Sequence, residues 1–237
     1  FYNRIEIKYS DHRYSLFTKI IGIRRRIGFN YKSRGRFLTK RIDLAEGYLE
    51  KHVVEYYLEL LKFLNIPVTD KSLYLGVSEE SRQRARDLLS AAGIEENDLL
   101  IGIVPGAGGS WGKQAIYKHW PALKFAQAAD MLAAELKAKI VILGDESERP
   151  IAEAITRLTR NKPVDLTGKI GLEILPAVIK NCNLLITNDG GPMHMAAALG
   201  VSTVSIFGPV NELVYGPYPE SKNHVVLKWG GECRPCY

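Results

Sequence analysis

From residue 99 onward, the chain alternates short apolar runs with longer amphipathic segments. The apolar runs predict buried strands over residues 99–104, 139–143, 164–166, 184–187 and 203–207. The segments between them predict helices over residues 121–136, 149–158, 172–180 and 192–199. Wholly apolar strands that alternate with helices are typical of βαβ units, in which helices cover both faces of a parallel sheet. The pattern therefore predicts a doubly wound α/β domain.

The first third of the chain carries weaker signals. Residues 2–9 alternate as in a strand, and an apolar-rich segment follows over residues 16–23. Apolar positions recur at helical spacing within residues 47–65, so a helix is predicted there, and Pro67 ends it.

A domain boundary is predicted near residue 75. Residues 68–77 resemble a linker with one extended segment, and Ser78 is placed to cap a helix that Gly93 ends. We therefore expect part of an N-terminal domain, with its linker, over residues 1–75 and a C-terminal domain over residues 76–237. Because the chain starts at Phe1 rather than at methionine, we also expect a truncated N-terminus.

Composition narrows the class of protein. Apolar residues make up 46% of the chain and charged residues 24%, which is an ordinary globular balance. The sequence contains no apolar run of eighteen residues and no signal-peptide pattern at its start. Three cysteines are too few for a disulfide framework, so a cytoplasmic protein is expected.

The net charge of +6 is unevenly distributed. Residues 1–71 hold 15 Lys and Arg against 8 Asp and Glu, whereas the remainder of the chain is close to neutral. A basic region of this kind serves nucleic acid, an anionic membrane surface or a phosphorylated substrate, or is simply a soluble surface. Nucleic-acid binding is disfavoured because the sequence has no aromatic-basic stacking platform.

A glycine-rich loop at residues 105–113 follows the first predicted strand of the α/β domain. A P-loop would need glycine where Ala107 stands and Ser or Thr where Gln114 stands. A dinucleotide fingerprint that starts at Gly106 would need glycine where Trp111 stands. Nucleotide triphosphate hydrolysis and nicotinamide binding are therefore disfavoured. The loop either binds another kind of phosphate or merely turns the chain.

A second loop, residues 188–194 (NDGGPMH), links a buried strand to an alanine-rich helix. Pro192 fits the first turn of that helix, so the amides of Gly190, Gly191 and Met193 are expected to point out of its N-terminus. Such an end binds anions, diphosphates above all, and glycine permits close approach. Asp189 serves this site or caps the helix, and His194 is a ligand or a packed helix residue.

Residues 188–200 (NDGGPMHMAAALG), followed by 207–209 (FGP), resemble the signature of the ADP-heptose:lipopolysaccharide heptosyltransferases, glycosyltransferase family 9. Residues 105–107, 118–121 (KHWP) and 143–148 (LGDESE) resemble further motifs of that family, whereas residues 24–29 and the helix near His52 fit more loosely. The resemblance implies a GT-B fold. The Rossmann-like C-terminal domain would bind a nucleotide-sugar donor, and part of a second Rossmann-like domain would bind the acceptor.

The resemblance implies roles for two charged residues. Lys118 would bind the donor diphosphate, although a surface lysine near a helix start is the simpler interpretation. Glu148, or alternatively Glu146, would accept hydrogen bonds from the ribose hydroxyls. The simpler interpretation is a carboxylate at a helix N-terminus, where the helix dipole favours it. Gly106 belongs to the matching motif of the first loop.

The second loop matches the family's diphosphate and sugar site at four positions, namely Asp189, Gly190, Gly191 and His194. The family usually carries Ser or Thr where this chain has Gly190, so phosphate contact there would come from the backbone alone.

The implied reaction is inverting transfer of heptose from ADP-heptose to the lipopolysaccharide inner core. The family's catalytic base is an aspartate near the start of its N-terminal domain, after a Gly-Asp motif. Residues 1–75 of this sequence contain no such motif, so the base is expected upstream of Phe1. Asp11 lies in a different context. The phosphorylated acceptor would meet Arg24, Arg25 and Arg26, with Lys32, Arg34 and Arg36, if these are not merely solvated. Peripheral contact with the inner face of the inner membrane is a further expectation.

Two other classes remain open: a catalytically incomplete nucleotide-sugar binding fragment, and a relative that uses another nucleotide sugar. A nucleotide-sugar 2-epimerase fits the motifs less well. We expect no cofactor. Cys233 and Cys236 supply only two of the four ligands that zinc needs, and Cys182 is expected to pack in the core, so no metal is predicted either.

Overall fold

The computed structural model describes residues 10–44, 46–228, 230, 231 and 236, except for the side chains of residues 10–12, 109–111 and 113. The chain divides into two compact units. One contains the residues up to Lys71 together with Leu213–Tyr215, and the other contains Ser72–Glu212 and the residues from Gly216 onward. The division falls a few positions before the predicted boundary at residue 75, and the roles assigned to the two parts remain predictions.

The first unit contains a helix, α1 (Ser10–Ile20), and two short parallel strands, β1 (Ile27–Tyr31) and β2 (Lys40–Leu44). The strands pair in register from Ile27 with Lys40 to Tyr31 with Leu44. This pair was not predicted from the sequence, although Ile27, Phe29 and Tyr31 alternate with Gly28 and Asn30, because the alternation spans only five residues in each strand. The strand predicted over residues 2–9 lies outside the described residues.

The helix predicted within residues 47–65 is shorter than its apolar period. Helix α2 (Val53–Glu59) begins after His52, whose Nδ1 accepts a hydrogen bond from the Val54 amide at 3.2 Å. It tightens into a 3₁₀ turn over Leu60–Leu64 and ends where Asn65 adopts a left-handed conformation with φ 55°. Asn65 thus stops the helix before Pro67 is reached, as left-handed end residues commonly do.

The second unit is built on a six-stranded parallel sheet in the order β5-β4-β3-β6-β7-β8. Its strands are β3 (Leu100–Val104), β4 (Lys139–Ile142), β5 (Val164–Asp165), β6 (Leu184–Asn188), β7 (Ser202–Phe207) and β8 (His224–Lys228). The first five were predicted to within one residue at each end. Strand β8 was not predicted; it is a half-exposed edge strand whose apolar run is only three residues long, at residues 225–227.

Helices cover both faces of this sheet. They are α3 (Glu79–Ala91), α4 (Ala122–Leu136), α5 (Arg149–Leu158), α6 (Leu175–Asn181) and α7 (Gly191–Leu199). A further short helix, α8 (Glu212–Tyr215), has its last three residues in the first unit. Alternate strand residues divide between two cores: Leu100 and Val104 pack with α3, α6 and α7, whereas Ile101 and Ile103 pack with α4 and α5. The predicted doubly wound α/β layer is confirmed.

Two helix starts follow from local sequence. Ser78 caps α3, since its Oγ accepts a hydrogen bond from the Ser81 amide at 3.1 Å, as predicted. Helix α6 begins at Leu175 rather than near residue 172, with Pro176 in its first turn, where its missing N–H costs nothing.

The strand order places a topological switch point in the middle of the sheet. The chain runs from β3 outward through β4 to β5, and then returns to place β6 on the other side of β3. The loops that leave the carboxyl ends of β3 and β6 therefore diverge. Open α/β sheets bind their ligands in the crevice that such loops form. The loops in question are the two that the sequence singled out.

Candidate anion-binding site at the switch point

Asn188 joins the two loops. It is the last residue of β6 and is fully buried. Its Nδ2 donates to the carbonyl oxygen of Pro105 at 2.6 Å, and more weakly to that of Gly106 at 3.4 Å. Its Oδ1 accepts from the Trp120 amide at 3.1 Å. One side chain thus ties the start of the first loop, and the backbone of Trp120 further along the chain, to the start of the second loop.

Lys118 and Asp189 form a buried ion pair. The Nζ atom of Lys118 lies 2.6 Å from Oδ2 of Asp189, and their side chains are only 8% and 7% exposed. Lys118 ends a 3₁₀ segment, Gly109–Lys118, and Asp189 directly follows β6. Removing two charges from water is costly, and an ion pair at this distance offsets part of that cost. Lys118 is therefore not the surface lysine of the simpler interpretation.

Gly208 fixes the backbone that carries Lys118. A β-carbon at Gly208, just after β7, would lie 2.8 Å from the carbonyl oxygen of Tyr117, so only glycine permits this approach without a shift. Beyond Lys118, the Trp120 ring packs edge-on against Phe125, with ring centroids 5.0 Å apart. The backbone around Lys118 is thus fixed on its N-terminal side by the contact of Tyr117 with Gly208, and on its C-terminal side by the packing of Trp120.

The N-terminus of α7 lies directly after Asp189. Gly190 is its N-cap in an extended conformation, and no side chain caps the helix, so Asp189 does not play the capping role that the sequence left open. The Met193 amide donates to the Gly190 carbonyl oxygen at 3.2 Å and is not directed outward as expected. Among the described residues, none accepts a hydrogen bond from the amides of Gly190 and Gly191, which are left at the positive end of the helix dipole.

The site has room beside Gly190. A β-carbon there would meet only the backbone of Ala107, at 3.7 Å, which is ordinary van der Waals contact. At Gly191 a β-carbon would meet nothing within 4 Å. The absence of a hydroxyl at residue 190 is therefore not imposed by crowding.

Glu148 reaches across from β4 to the first loop. Its Oε1 accepts from the Gly108 amide at 3.1 Å, and its Oε2 accepts from the Asp145 amide at 3.0 Å. The second bond is half of a capping box in which the Asp145 carboxylate caps residues Glu146–Glu148. A β-carbon at Gly106 would lie 1.6 Å from Oε1, so Gly106 provides the space that the carboxylate occupies.

Glu146, the alternative to Glu148, is directed elsewhere. Its side chain is 69% exposed and forms two hydrogen bonds with Arg149, at 2.7 and 2.5 Å. The hydrogen bond from Arg149 lowers the pKa of Glu146 below its usual range. Of the two carboxylates, only Glu148 contacts the loop after β3.

Two histidines belong to the same loops. His119 follows Lys118 and is half-buried, and its pKa is lowered by burial although the nearby Glu148 carboxylate acts in the opposite direction. His194 lies in the first turn of α7 and is also half-buried.

The three predicted acceptor-binding arginines of the first unit are not equivalent. Arg26 is part of the fold, because its guanidinium donates to the carbonyl oxygens of Phe37 at 2.8 Å and Ile23 at 2.6 Å. Arg24 and Arg25 are exposed. Only these two present their guanidinium groups as the prediction requires.

The cysteines do not form a site in the described part of the chain. Cys182 is buried in the core as predicted, and burial raises its pKa to about 12. Cys236 is exposed, and Cys233 lies outside the described residues. Within the described residues there is no group of three or more potential metal ligands, and no helix is both long and apolar enough to cross a membrane.

Sequence reasoning gave Asn188 no role, and it did not pair Lys118 with Asp189. The signal for Asn188 was its position. A polar amide at the end of an otherwise apolar, buried strand needs hydrogen-bond partners, and here these are the Pro105 carbonyl and the Trp120 amide. The pairing had no such signal, because it joins residues that are far apart along the chain.

The second unit is thus a doubly wound α/β domain with a buried Lys118–Asp189 ion pair and an uncapped helix N-terminus at its switch point, where open α/β sheets commonly bind ligands. The family model for glycosyltransferase family 9 (heptosyltransferase) matches residues 7–237. The chain belongs to this family.

Individual relatives and solved structures support the same family assignment. Lipopolysaccharide heptosyltransferase 3 of Escherichia coli is 26% identical over 227 residues, which cover 93% of this chain and 62% of that protein. The crystal structure of the glycosyl transferase family 9 from Veillonella parvula DSM 2008 is 32% identical, with a TM-score of 0.77, over 92% of this chain and 60% of that chain. The structure of E. coli ADP-heptose lps heptosyltransferase II shares the fold at 23% identity and a TM-score of 0.70, over 93% and 66%. The predicted GT-B fold class is confirmed, and the chain spans about three fifths of the length of these relatives.

Proposed function

We propose that the second unit binds a nucleotide-sugar donor, and that the protein transfers heptose from ADP-heptose to the lipopolysaccharide inner core with inversion. The observation that carries the proposal is the buried Lys118–Asp189 pair beside the uncapped N-terminus of α7. The names of the relatives supply the sugar and the acceptor, since they describe lipopolysaccharide and ADP-heptose heptosyltransferases.

The donor diphosphate occupies the N-terminus of α7 in this proposal. The amides of Gly190 and Gly191 donate to phosphate oxygens, and the helix dipole favours the negative charge. Lys118 contributes a compact positive charge, which Asp189 holds in place. Asp189 is then a residue that positions the lysine, because a carboxylate facing a diphosphate directly would repel it. His194, one helical turn into α7, is proposed to contact the sugar-phosphate end.

The ribose is assigned to Glu148. Each of its carboxylate oxygens accepts one backbone amide in the structure and retains a further lone pair. Two fixed oxygens of this kind are suited to accept the paired hydroxyls of a ribose. Gly106 supports this role by leaving room for the carboxylate.

In the transfer step, an acceptor hydroxyl attacks the anomeric carbon of the heptose. The new carbon–oxygen bond forms on one face while the bond to the diphosphate breaks on the other, and ADP leaves with the electron pair. Lys118 and the α7 amides stabilise the charge that develops on the leaving group. A base takes the hydroxyl proton. We assign no described residue to that role.

The acceptor is proposed to meet Arg24 and Arg25, whose exposed guanidinium groups suit the phosphates of a lipopolysaccharide core. A cytoplasmic protein in peripheral contact with the inner face of the inner membrane would encounter such an acceptor.

One observation favours a different donor. Gly190 lacks the hydroxyl usual at this position in the family although the structure leaves room for one, which suits a relative that uses another nucleotide sugar. Calorimetric titration of the wild-type chain with ADP, UDP and GDP distinguishes the two donors. Preferential binding of ADP supports ADP-heptose, whereas preference for UDP or GDP keeps the phosphate site and removes ADP-heptose as the donor. Binding of none of the three contradicts the donor site itself.

A further inference from the structure

The segment between Gly108 and Lys118 is anchored at both ends. The Gly108 amide donates to Oε1 of Glu148 at 3.1 Å, and the Lys118 Nζ atom lies 2.6 Å from Oδ2 of Asp189. Glu148 and Lys118 are the residues assigned above to the ribose and to the diphosphate. Residues 109–117, which we call the strap, therefore leave the donor crevice at one donor-binding residue and return to it at another.

The strap itself is weakly held between these anchors. Its backbone forms two short 3₁₀ stretches that are joined by a kink at Gly112, which has φ 52° and ψ −134°. No side chain caps its start at Gly108, which has φ 66°. Neither core of the second unit includes a described side chain of the strap. Because 3₁₀ hydrogen bonds are poorly aligned and glycine rotates freely, such a backbone rearranges at low cost in free energy.

Two large apolar side chains of the strap face water. Ile116 is 65% exposed and Tyr117 is 68% exposed, although they directly precede the buried Lys118. The backbone of Tyr117 is fixed where its carbonyl oxygen approaches Gly208, so only its ring is left in solvent. Covering these two side chains would remove apolar surface from water, which favours a closed strap.

We propose that the strap folds over a bound nucleoside diphosphate, bending at Gly108 and Gly112, and so covers the crevice at the switch point. The side chains of Ile116 and Tyr117 become buried as it closes. The inference rests on the proposed function, because it takes the residues at the two anchors as contacts of the donor.

A nucleoside diphosphate is the ligand that spans both anchors. Its ribose engages Glu148, which already holds the start of the strap, and its diphosphate engages Lys118 at the end. Contacts at both ends reduce the conformations open to the segment between them, so closing the strap costs less entropy with the donor bound than without it. The closed strap also keeps water away from the leaving diphosphate.

Hydrogen exchange of the wild-type chain, with and without ADP, tests whether the strap closes. We expect saturating ADP to slow exchange of the amides of residues 109–117 about tenfold or more. The loop at residues 159–163, which precedes β5 and so lies at the opposite edge of the sheet, is the internal reference and should change less than about twofold. If calorimetry shows that ADP binds while the strap amides exchange as in the free chain, the inference is overturned and the donor site stands.

A second test asks whether apolar burial holds the strap closed. The double variant Ile116→Ser/Tyr117→Ser should release ADP about tenfold faster at a nearly unchanged association rate, because its closed state buries less apolar surface. Leu136→Ser is the matched control, since Leu136 is 53% exposed at the far end of α4, and it should release ADP as the wild type does. Surface plasmon resonance measures both rates.

Release of ADP from the double variant at the wild-type rate would contradict the closing of the strap over the ligand, and would leave the binding of ADP itself intact. If the wild-type chain binds no ADP, the proposed function fails, and the inference fails with it.

Discussion

The carboxylate of Glu148 occupies the space that a side chain at Gly106 would fill, since a β-carbon there would lie 1.6 Å from Oε1. The first loop is therefore sterically coupled to Glu148, the residue proposed to bind the ribose. Gly106 cannot take a larger side chain while Glu148 keeps this position.

Gly106→Ala should displace Glu148 and destabilise the second unit by about 1–3 kcal/mol, the usual cost of overpacking. Urea denaturation measures the effect. Gly76→Ala is the control, because a β-carbon there meets only the Tyr74 ring at 3.7 Å. The double variant Gly106→Ala/Glu148→Ala should recover part of the loss, since the clash is removed. Additive effects of the two substitutions would show that the residues are not coupled.

Asn188→Ala should destabilise the fold by about 2 kcal/mol or more, because it leaves the Pro105 carbonyl and the Trp120 amide without their buried partner. Chemical denaturation of this variant beside Asn223→Ala, an exposed asparagine, checks the prediction. An Asn188→Ala variant as stable as the wild type would mean that the two loops are held by other contacts.

Asp189→Ala should be more destabilising than most substitutions, by about 3–5 kcal/mol, because it leaves the Lys118 ammonium buried without its counter-charge. Adding Lys118→Met should restore much of the lost stability, which denaturation curves of the single and double variants would reveal. Glu79→Ala, which breaks an exposed pair with Arg86, serves as the control and should leave the midpoint unchanged. A double variant no more stable than Asp189→Ala would show that the ion pair is not the source of the effect.

Gly190→Ser should be tolerated. The backbone at Gly190 is extended, a β-carbon there makes only ordinary contacts, and serine is a better N-cap than glycine by a few tenths of a kcal/mol. Gly208→Ser is the opposite case, because its β-carbon would press on the Tyr117 carbonyl oxygen at 2.8 Å. Melting temperatures of the two variants test the contrast, and equal destabilisation would contradict it.

Acid should destabilise the second unit in part through His224, whose pKa is lowered by burial. The unfolded chain binds a proton below about pH 6.5, whereas the folded chain resists it, so stability is lost as the pH falls from there through the folded pKa. His224→Gln should therefore flatten the fall in unfolding free energy as the pH drops below about 6.5. An unchanged pH profile would mean that this histidine titrates alike in both states.

The sheet could be predicted from sequence because strands buried on both faces are wholly apolar, as in β3, whose residues are all buried. The same reasoning fails where burial is partial. Strands β1 and β8 are only partly buried, and their apolar stretches are correspondingly interrupted or short. The length of α2 was overpredicted because the helical spacing of apolar residues continues through the 3₁₀ turn over Leu60–Leu64. The sequence pattern does not distinguish such a turn from an α-helix.

The candidate site was located by its glycines, which mark where backbone approaches other groups closely. Gly106 and Gly208 do mark such approaches, to Glu148 and to Tyr117. The partners themselves could not be predicted, because spacing along the chain does not reveal that Lys118 faces Asp189 or that Asn188 reaches Pro105. Those pairings depend on the strand order, which makes β3 and β6 neighbours in the sheet.

The central claim is that Lys118 and the α7 N-terminus bind the diphosphate of a nucleotide. The most direct test is the ratio of ADP to adenosine affinity in the wild-type chain and in Lys118→Met, measured by calorimetry. Adenosine serves as the internal control, since it reports whether the nucleoside part of the site is still assembled. We predict that the variant loses about ten- to a hundredfold in affinity for ADP, the range for a lost charge-assisted contact, and binds adenosine as before. An unchanged ratio would contradict the account, because Lys118 would then be a buried structural lysine with no part in binding phosphate.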